Sequence, residues 1–257
     1  MDGHLTLISS NIRFDNPADG SLAWPHRRSF LAELLRSHQP DIIGTQEGRR
    51  PQIEDLAGLL PDHNLSAQGR QWIEERMYPC LFFRKNSFGT LACGDAWLSD
   101  APQEAGSSFN GSAFPRLCTW NRISLQAQSF FIANVHLDYL DEGVRLKQAL
   151  VLVEEIKKQV KPTDRLILMG DFNDAPGSQC HGAILEGLGS VRAPWIEVRG
   201  KEEPSHRSFT QAYDEAHRID WIFVDHRIEV EDIFLDKSHR QDLWPSDHYP
   251  LVCKVKL

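Results

Sequence analysis

Five short polar runs in this sequence fall beside apolar segments, where a fold can hold side chains for chemistry. The run Leu166-Ile167-Leu168-Met169-Gly170-Asp171-Phe172-Asn173 closes a hydrophobic strand with a carboxylate and an amide spaced i, i+2. Period-two alternation sends Asp171 and Asn173 to one side and turns Phe172 to the other. A carboxylate beside an amide at the mouth of a sheet is suited to holding a water against a phosphorus atom. Near the end of the chain, Ser246-Asp247-His248 sets a carboxylate next to an imidazole just before a last strand. Together these runs point to metal-dependent hydrolysis of a phosphate ester.

The other three runs, and the Asp220 that partners the terminal one, are weighed against blander readings. Asn11 ends the first apolar strand and needs buried partners; Asn16-Pro17 and Asp19-Gly20 after it read as turns. Gln46-Glu47 closes a second strand, where an acid is costly unless paired or metal-bound. A helix cap, or an ion pair with the arginines that follow, would serve as well. Asn134, His136 and Asp138 make a period-two row on one strand face, with Val135 and Leu137 opposite. Asp220 lies in the apolar run Ile219 to Phe223 and pairs naturally with His248, the alternatives being Arg218 and His217. Each run is expected at the carboxyl end of a strand or just beyond it, where α/β sheets put their ligands.

Strands and helices alternate throughout. Strands are expected at His4 to Phe14, Ile42 to Glu47, Cys80 to Arg84, Leu91 to Leu98, Leu117 to Leu125, Phe130 to Leu137, Leu166 to Phe172, Ile219 to Val224, Val230 to Leu235 and Leu251 to Val255. Amphipathic spacing places helices at Trp24 to Ser37, Ile53 to Leu60 and Glu142 to Lys158. Long loops are expected at 100–115, 174–182, 193–215 and 236–247, bordering the site. With no linker or repeat, residues 1–257 read as one domain.

A formal charge of −8 argues against a general double-helix binder and favours a small phosphorylated substrate or a nucleic-acid end. The five cysteines form no Cys-x-x-Cys pair and read as reduced core residues of a cytoplasmic protein. The opening residues lack the features of a signal peptide, and no stretch is apolar enough to span a bilayer. No obligate protein partner is evident.

On Asn11, Gln46-Glu47, His136-Leu137, Gly170-Asp171-Phe172-Asn173, Ile219-Asp220 and Ser246-Asp247-His248, in that order, the chain resembles the endonuclease/exonuclease/phosphatase (deoxyribonuclease I-like) superfamily. The run Asn11 to Gly20 with Trp24 and Arg27-Arg28 resembles a small stand-alone bacterial branch nearest the nocturnin and deadenylase group. The resemblance implies a four-layer α/β/β/α sandwich with two central mixed sheets, and dependence on Mg²⁺ or Mn²⁺. It implies Glu47 as principal metal ligand, with Asn11 and Asp247 near the metal. Asp171 would orient and deprotonate the attacking water, and Asn173 would hold that water or a phosphoryl oxygen. His136 and His248 would stabilise phosphoryl charge, with Asp220 fixing His248 protonated. Arg116 is a candidate substrate-phosphate contact, the alternative being a solvated arginine. Trp195, Trp244 and Tyr249 are candidate stacking surfaces, the alternative being core. The basic helix of apurinic endonucleases and the leucine-rich repeats of deadenylases are missing from the sequence. A phosphoesterase is the reading that follows. A single-stranded RNA exonuclease and a catalytically silent binding module stand as its alternatives.

Overall fold

In the protein, a computed structural model, residues 3–209 and 217–257 are described. The first of two mixed, six-stranded sheets contains β1 (His4–Asn11), β2 (Ile42–Arg49), β3 (His63–Ser66), β4 (Met77–Arg84), β11 (Glu229–Leu235) and β12 (Leu251–Lys256), ordered β11-β12-β1-β2-β4-β3. The second contains β5 (Gly89–Trp97), β6 (Leu117–Leu125), β7 (Gln128–His136), β8 (Asp164–Asp171), β9 (Val191–Arg192) and β10 (Asp220–Asp225), ordered β5-β6-β7-β8-β10-β9.

Alternation along the strands builds the layers. Leu5, Leu7, Ile42 and Leu81 meet Ile132, Ile167, Met169 and Ile222 between the sheets. Their neighbours point outward. Ile8, Ile43 and Phe82 pack on Leu31 and Leu35 of α1 (Trp24–Ser37) and on Ile53 and Leu56 of α2 (Arg50–Leu59). Leu166, Leu168 and Phe223 pack on Leu152 and Ile156 of α3 (Glu142–Gln159) and on Ile184 of α4 (Gln179–Leu188). The result is the expected four-layer α/β/β/α sandwich. Asp141 caps α3, its carboxylate accepting from Val144 N at 2.8 Å, and Lys157 and Lys158 complement the dipole at the other end. The thiols are all free; Cys80, Cys118, Cys180 and Cys253 are buried and Cys93 is half-buried. Among the described residues no helix is long and apolar enough to cross a membrane.

Register brings the polar runs to one edge. Asn11 lies opposite Gln46 in the parallel pair β1–β2, and His136 opposite Asp171 in the parallel pair β7–β8. Asp220 lies opposite Asp171 across the antiparallel pair β8–β10. This corrects one expectation: Asp220 begins its strand and Asp247-His248 precedes β12, so both sit at amino ends of antiparallel strands that share the edge. Two glycines let backbones approach. At Gly170 (φ +150°) a Cβ would stand 2.0 Å from Val135 O, and at Gly44 it would stand 2.6 Å from Met169 Sδ across the sheets.

Several boundaries differ from expectation. β1 stops at Asn11, not Phe14, because Arg13 turns to φ 53° and gives its N–H to Asn11 Oδ1. The expected loop 174–182 runs into α4, whose N-cap Ser178 accepts from His181 N. Within the expected loop 193–215, Trp195–Arg199 forms a short helix, α5, and positions 210–215 lie outside the described residues.

Candidate active site

Asn11 joins the two sheets at the common edge. Its Nδ2 donates to Glu47 Oε1 at 3.0 Å and to Asp171 Oδ2 at 2.8 Å, while its Oδ1 accepts from Arg13 N at 2.9 Å. Asn11 therefore aims amide hydrogens, not its oxygen, at the acids and fixes their separation. Glu47 Oε2 accepts from Phe14 N at 3.2 Å. Asp171 Oδ1 accepts from Asn173 N at 2.9 Å. Arg13, Glu47 and Asn173 all hold positive φ without being glycine (53°, 66° and 51°). Three such residues around one cleft mark a backbone held in shape by its surroundings.

His248 donates from Nδ1 to Asp220 Oδ2 at 2.8 Å and turns Nε2 toward Asp171 Oδ2, 3.8 Å away. Arg218, an alternative partner for Asp220, instead gives Nη1 to its backbone oxygen and its other nitrogens to Glu202. His136 accepts from Arg116 Nη1 at Nδ1, 3.0 Å, and its Nε2 lies 3.0 Å from Asn173 Nδ2 and 3.5 Å from Asp171 Oδ2.

The two imidazoles are thus opposites. Burial lowers the pKa of His136 well below the ordinary value, and the charges of Arg116 and His248 lower it further, so it is neutral. Burial also disfavours the cation at His248, but Asp220, Asp171 and Asp247 outweigh it and raise that pKa well above the ordinary value. Asp171 is pushed up to about 7, first by burial and then by the charge of Asp220. Burial opposes ionisation of Asp247 too, yet the hydrogen bond from His206 and the charges of His248 and Arg13 hold its pKa low.

Glu47, Arg116, His136, Asp171, Asn173, Asp247 and His248 line a cleft of about 830 Å³, with Asn11 and Asp220 behind its wall. Glu47, His136 and Asp171 could together hold a metal ion, as could His206, Asp247 and His248. Arg116 is not solvated. It is buried on the cleft wall, its Nε lacks a hydrogen-bond partner, and burial lowers its pKa.

Other expectations separate. Of the row on β7, only His136 enters the cleft. Asn134 lies between the sheets, donating to Thr45 O and Cys80 O and accepting from Gln46 Nε2 at 2.7 Å. Asp138 is buried behind the cleft rim. Trp195 is core, and Trp244 stacks on His239 at 4.1 Å outside the cleft wall. The cleft also takes Arg13, Arg145, His206 and Phe209, which sequence reasoning missed. Arg13 was signalled by its place two residues after Asn11. His206 arrives through a bridge to His248, forty-two positions away in sequence (248 − 206), and no local pattern announces it.

A family model described as the Endonuclease/Exonuclease/phosphatase family matches residues 8–248. Nocturnin of Drosophila melanogaster is 24% identical, the match covering 98% of this chain and 45% of that protein. The chain spans about half the length of the curated relatives it matches. Among solved structures, an endonuclease/exonuclease/phosphatase from Bacteroides vulgatus is 25% identical with a TM-score of 0.89, covering 99% of both chains. A mannosyl-6-phosphatase from Bacteroides thetaiotaomicron is 26% identical with a TM-score of 0.85, covering 98% of this chain and 100% of that one.

Proposed function

The chain belongs to the Endonuclease/Exonuclease/phosphatase family, and from that premise we propose that it is a divalent-metal-dependent phosphoesterase. It hydrolyses a phosphate mono- or diester by in-line attack of an activated water, on a small phosphorylated compound or a nucleic-acid end. The observation that carries this reading is the hydrogen-bonded chain Glu47–Asn11–Asp171 beside the pair Asp220–His248 at one sheet edge. The similarity to a mannosyl-6-phosphatase supports a small substrate, and so does the formal charge of −8.

The residues present fit a hard divalent cation. Carboxylates dominate the donor set, which suits Mg²⁺ or Mn²⁺. Asp171 is pushed up to about 7 first by burial and then by the charges of Asp220 and Glu47, and a cation would relieve that second part. Glu47 would hold the cation with Asp247 close by, and Asn11 would keep Glu47 and Asp171 spaced around it. When bound, the cation supplies charge neutralisation at the phosphoryl oxygens.

The chain's own groups account for the rest. Asp171, fixed at both oxygens by Asn11 and Asn173, orients the water and takes its proton. His248, kept cationic by Asp220, donates from Nε2 to a phosphoryl oxygen as charge develops. Neutral His136, with Nδ1 on Arg116 and Nε2 3.0 Å from Asn173 Nδ2, holds both groups at the cleft without adding charge. Arg116, on the cleft wall, would meet the phosphate with the accessible part of its guanidinium that His136 does not engage.

The test is hydrolysis of a panel of nucleotides, sugar phosphates, inositol phosphates, bis(p-nitrophenyl) phosphate and single-stranded RNA and DNA, with Mg²⁺, Mn²⁺ or chelator. Metal-dependent turnover lost in His248→Ala is expected. No turnover together with no metal binding would overturn the proposal in favour of a silent module.

A further inference from the structure

Asp138 falls outside the chemistry above although its carboxylate is buried and ionised groups are costly to bury. One oxygen holds one loop and the other holds a second. Oδ2 accepts from Ala113 N at 2.7 Å and lies 3.0 Å from Ser112 Oγ; Oδ1 accepts from Leu140 N at 2.8 Å and Asp141 N at 3.1 Å. Gln148 braces the joint, taking Asp138 N at 2.8 Å and reaching Ser112 Oγ at 3.3 Å. The two loops so tied carry Phe114 and Tyr139.

Among the described residues Phe114 (40% exposed) and Tyr139 (55%) are the only exposed aromatic side chains, and both line the catalytic cleft. Their centroids are 6.4 Å apart with planes tilted 32°, and the Arg116 guanidinium carbon lies 5.6 Å from the Phe114 centroid. The phosphate anchor and the aromatic faces are therefore adjacent. Exposed aromatic surface is costly unless something covers it, and here it adjoins the place where the organic part of an ester must lie.

We propose that Phe114 and Tyr139 form a subsite for a planar ring carried by the substrate's organic group, positioned by Asp138. This rests on the phosphoesterase reading and narrows its substrate class to esters bearing a ring such as a nucleobase. The carboxylate of Asp138 and the hydroxyl of Ser112 are engaged between the loops, so this corner of the cleft presents the two ring faces.

Adenosine 5′-monophosphate and ribose 5-phosphate share phosphate and sugar and differ by one base. They are compared on the Mg²⁺-loaded protein, as substrates where they turn over, as competitive inhibitors where they do not, and by calorimetry in either case. Stacking should favour the nucleotide by about tenfold or more. In Phe114→Ala/Tyr139→Ala the preference for the nucleotide over ribose 5-phosphate should fall to within about threefold. Asp138→Asn should lower the same ratio, whereas simple loss of fold would weaken both compounds alike. Equal binding by the natural chain, or a preference that survives the double substitution, would overturn the subsite. Failure of the phosphoesterase reading shows separately, as no metal-dependent turnover on any panel member.

Discussion

Asp220→Asn isolates the electrostatic part of the site. The side chains of Asp220 and His248 are both buried, 2.8 Å apart from Oδ2 to Nδ1. An asparagine there keeps the shape and can still accept the Nδ1 proton through its oxygen, so what is removed is one negative charge. At an effective dielectric of about 20, unit charges about 4 Å apart interact by ~4 kcal/mol, equivalent to about three pKa units. Asp171 and Asp247 still face the imidazole, so ~4 kcal/mol is an upper bound on what His248⁺ loses. Deleting one preorganised donor to developing charge costs about 10²–10³ in kcat, which is about 3–4 kcal/mol and of the same size. Asp220 does not line the cleft, so KM should stay within about threefold while kcat falls. Steady-state kinetics on the best panel substrate, with the thermal midpoint as a check on folding, reads this out. A folded Asp220→Asn protein with kcat within threefold of the natural chain would refute the reasoning.

Three further predictions concern how the site is held. Arg27 is fully buried, has no carboxylate partner among the described residues, and donates to Leu22 O, Ile12 O, Arg13 O and Pro245 O, tying the end of β1 to the segment before Asp247. Orphaning these acceptors costs ~1–3 kcal/mol each, so Arg27→Met should lose ~4 kcal/mol or more in urea unfolding and most activity with it. Gly170→Ala would force Cβ against Val135 O at 2.0 Å and should cost more than ~4 kcal/mol, read as insoluble expression or a collapsed thermal midpoint. The last is a pH effect away from the cleft. Burial opposes ionisation of Asp236, but hydrogen bonds from His38 and Ser238 prevail and depress its pKa. A depressed carboxylate stabilises the fold above its unfolded pKa, and that stability is lost as pH falls through the folded value. Asp236→Asn should therefore lower the unfolding free energy read from urea titration at pH 6 by ~1 kcal/mol and flatten its fall below pH 4.

Most of the architecture was legible because the strands alternate cleanly and α1 carries its signals locally. The apolar residues Phe30, Leu31, Leu34 and Leu35 give it one face, and Pro25 in the first turn starts it. α4 was hidden by composition. Gly182 and Gly187 weaken its pattern, and Gly187 is there because a Cβ would press within 2.6 Å of Val153 on α3. That reason is tertiary and leaves no trace in spacing. The same division runs through the site. The structure brings Asp171, Asn173, His248 and Asp220 together where local pattern and register coincide. The row Asn134, His136, Asp138 kept its period but not its meaning, because a step of two residues along β7 carries a side chain from the space between the sheets to the cleft and then past the strand end. Asn11 was found, but its amide orientation follows from Arg13 turning back on it, which no sequence rule supplies.

The charge distribution explains why acidic composition and phosphate chemistry coexist here. The surface excess is negative, with a formal charge of −8, while Arg13, Arg116 and Arg145 line the cleft itself. Such a protein has little long-range pull on a polyanion, and its cleft meets one phosphate group with arginines set among the acids Asp19, Glu47, Asp171 and Asp247. Activity on small substrates should for that reason depend weakly on salt, unlike binding of a nucleic-acid backbone.

The central claim is that Asp171 activates the water, and the most direct measurement is kcat of the Mg²⁺-loaded Asp171→Ala protein against the natural chain on the best panel substrate. Removing a positioned base costs about 10²–10⁴ in rate, so turnover should fall at least a hundredfold while the circular dichroism spectrum is unchanged. A folded Asp171→Ala protein that keeps most of its turnover would contradict the account.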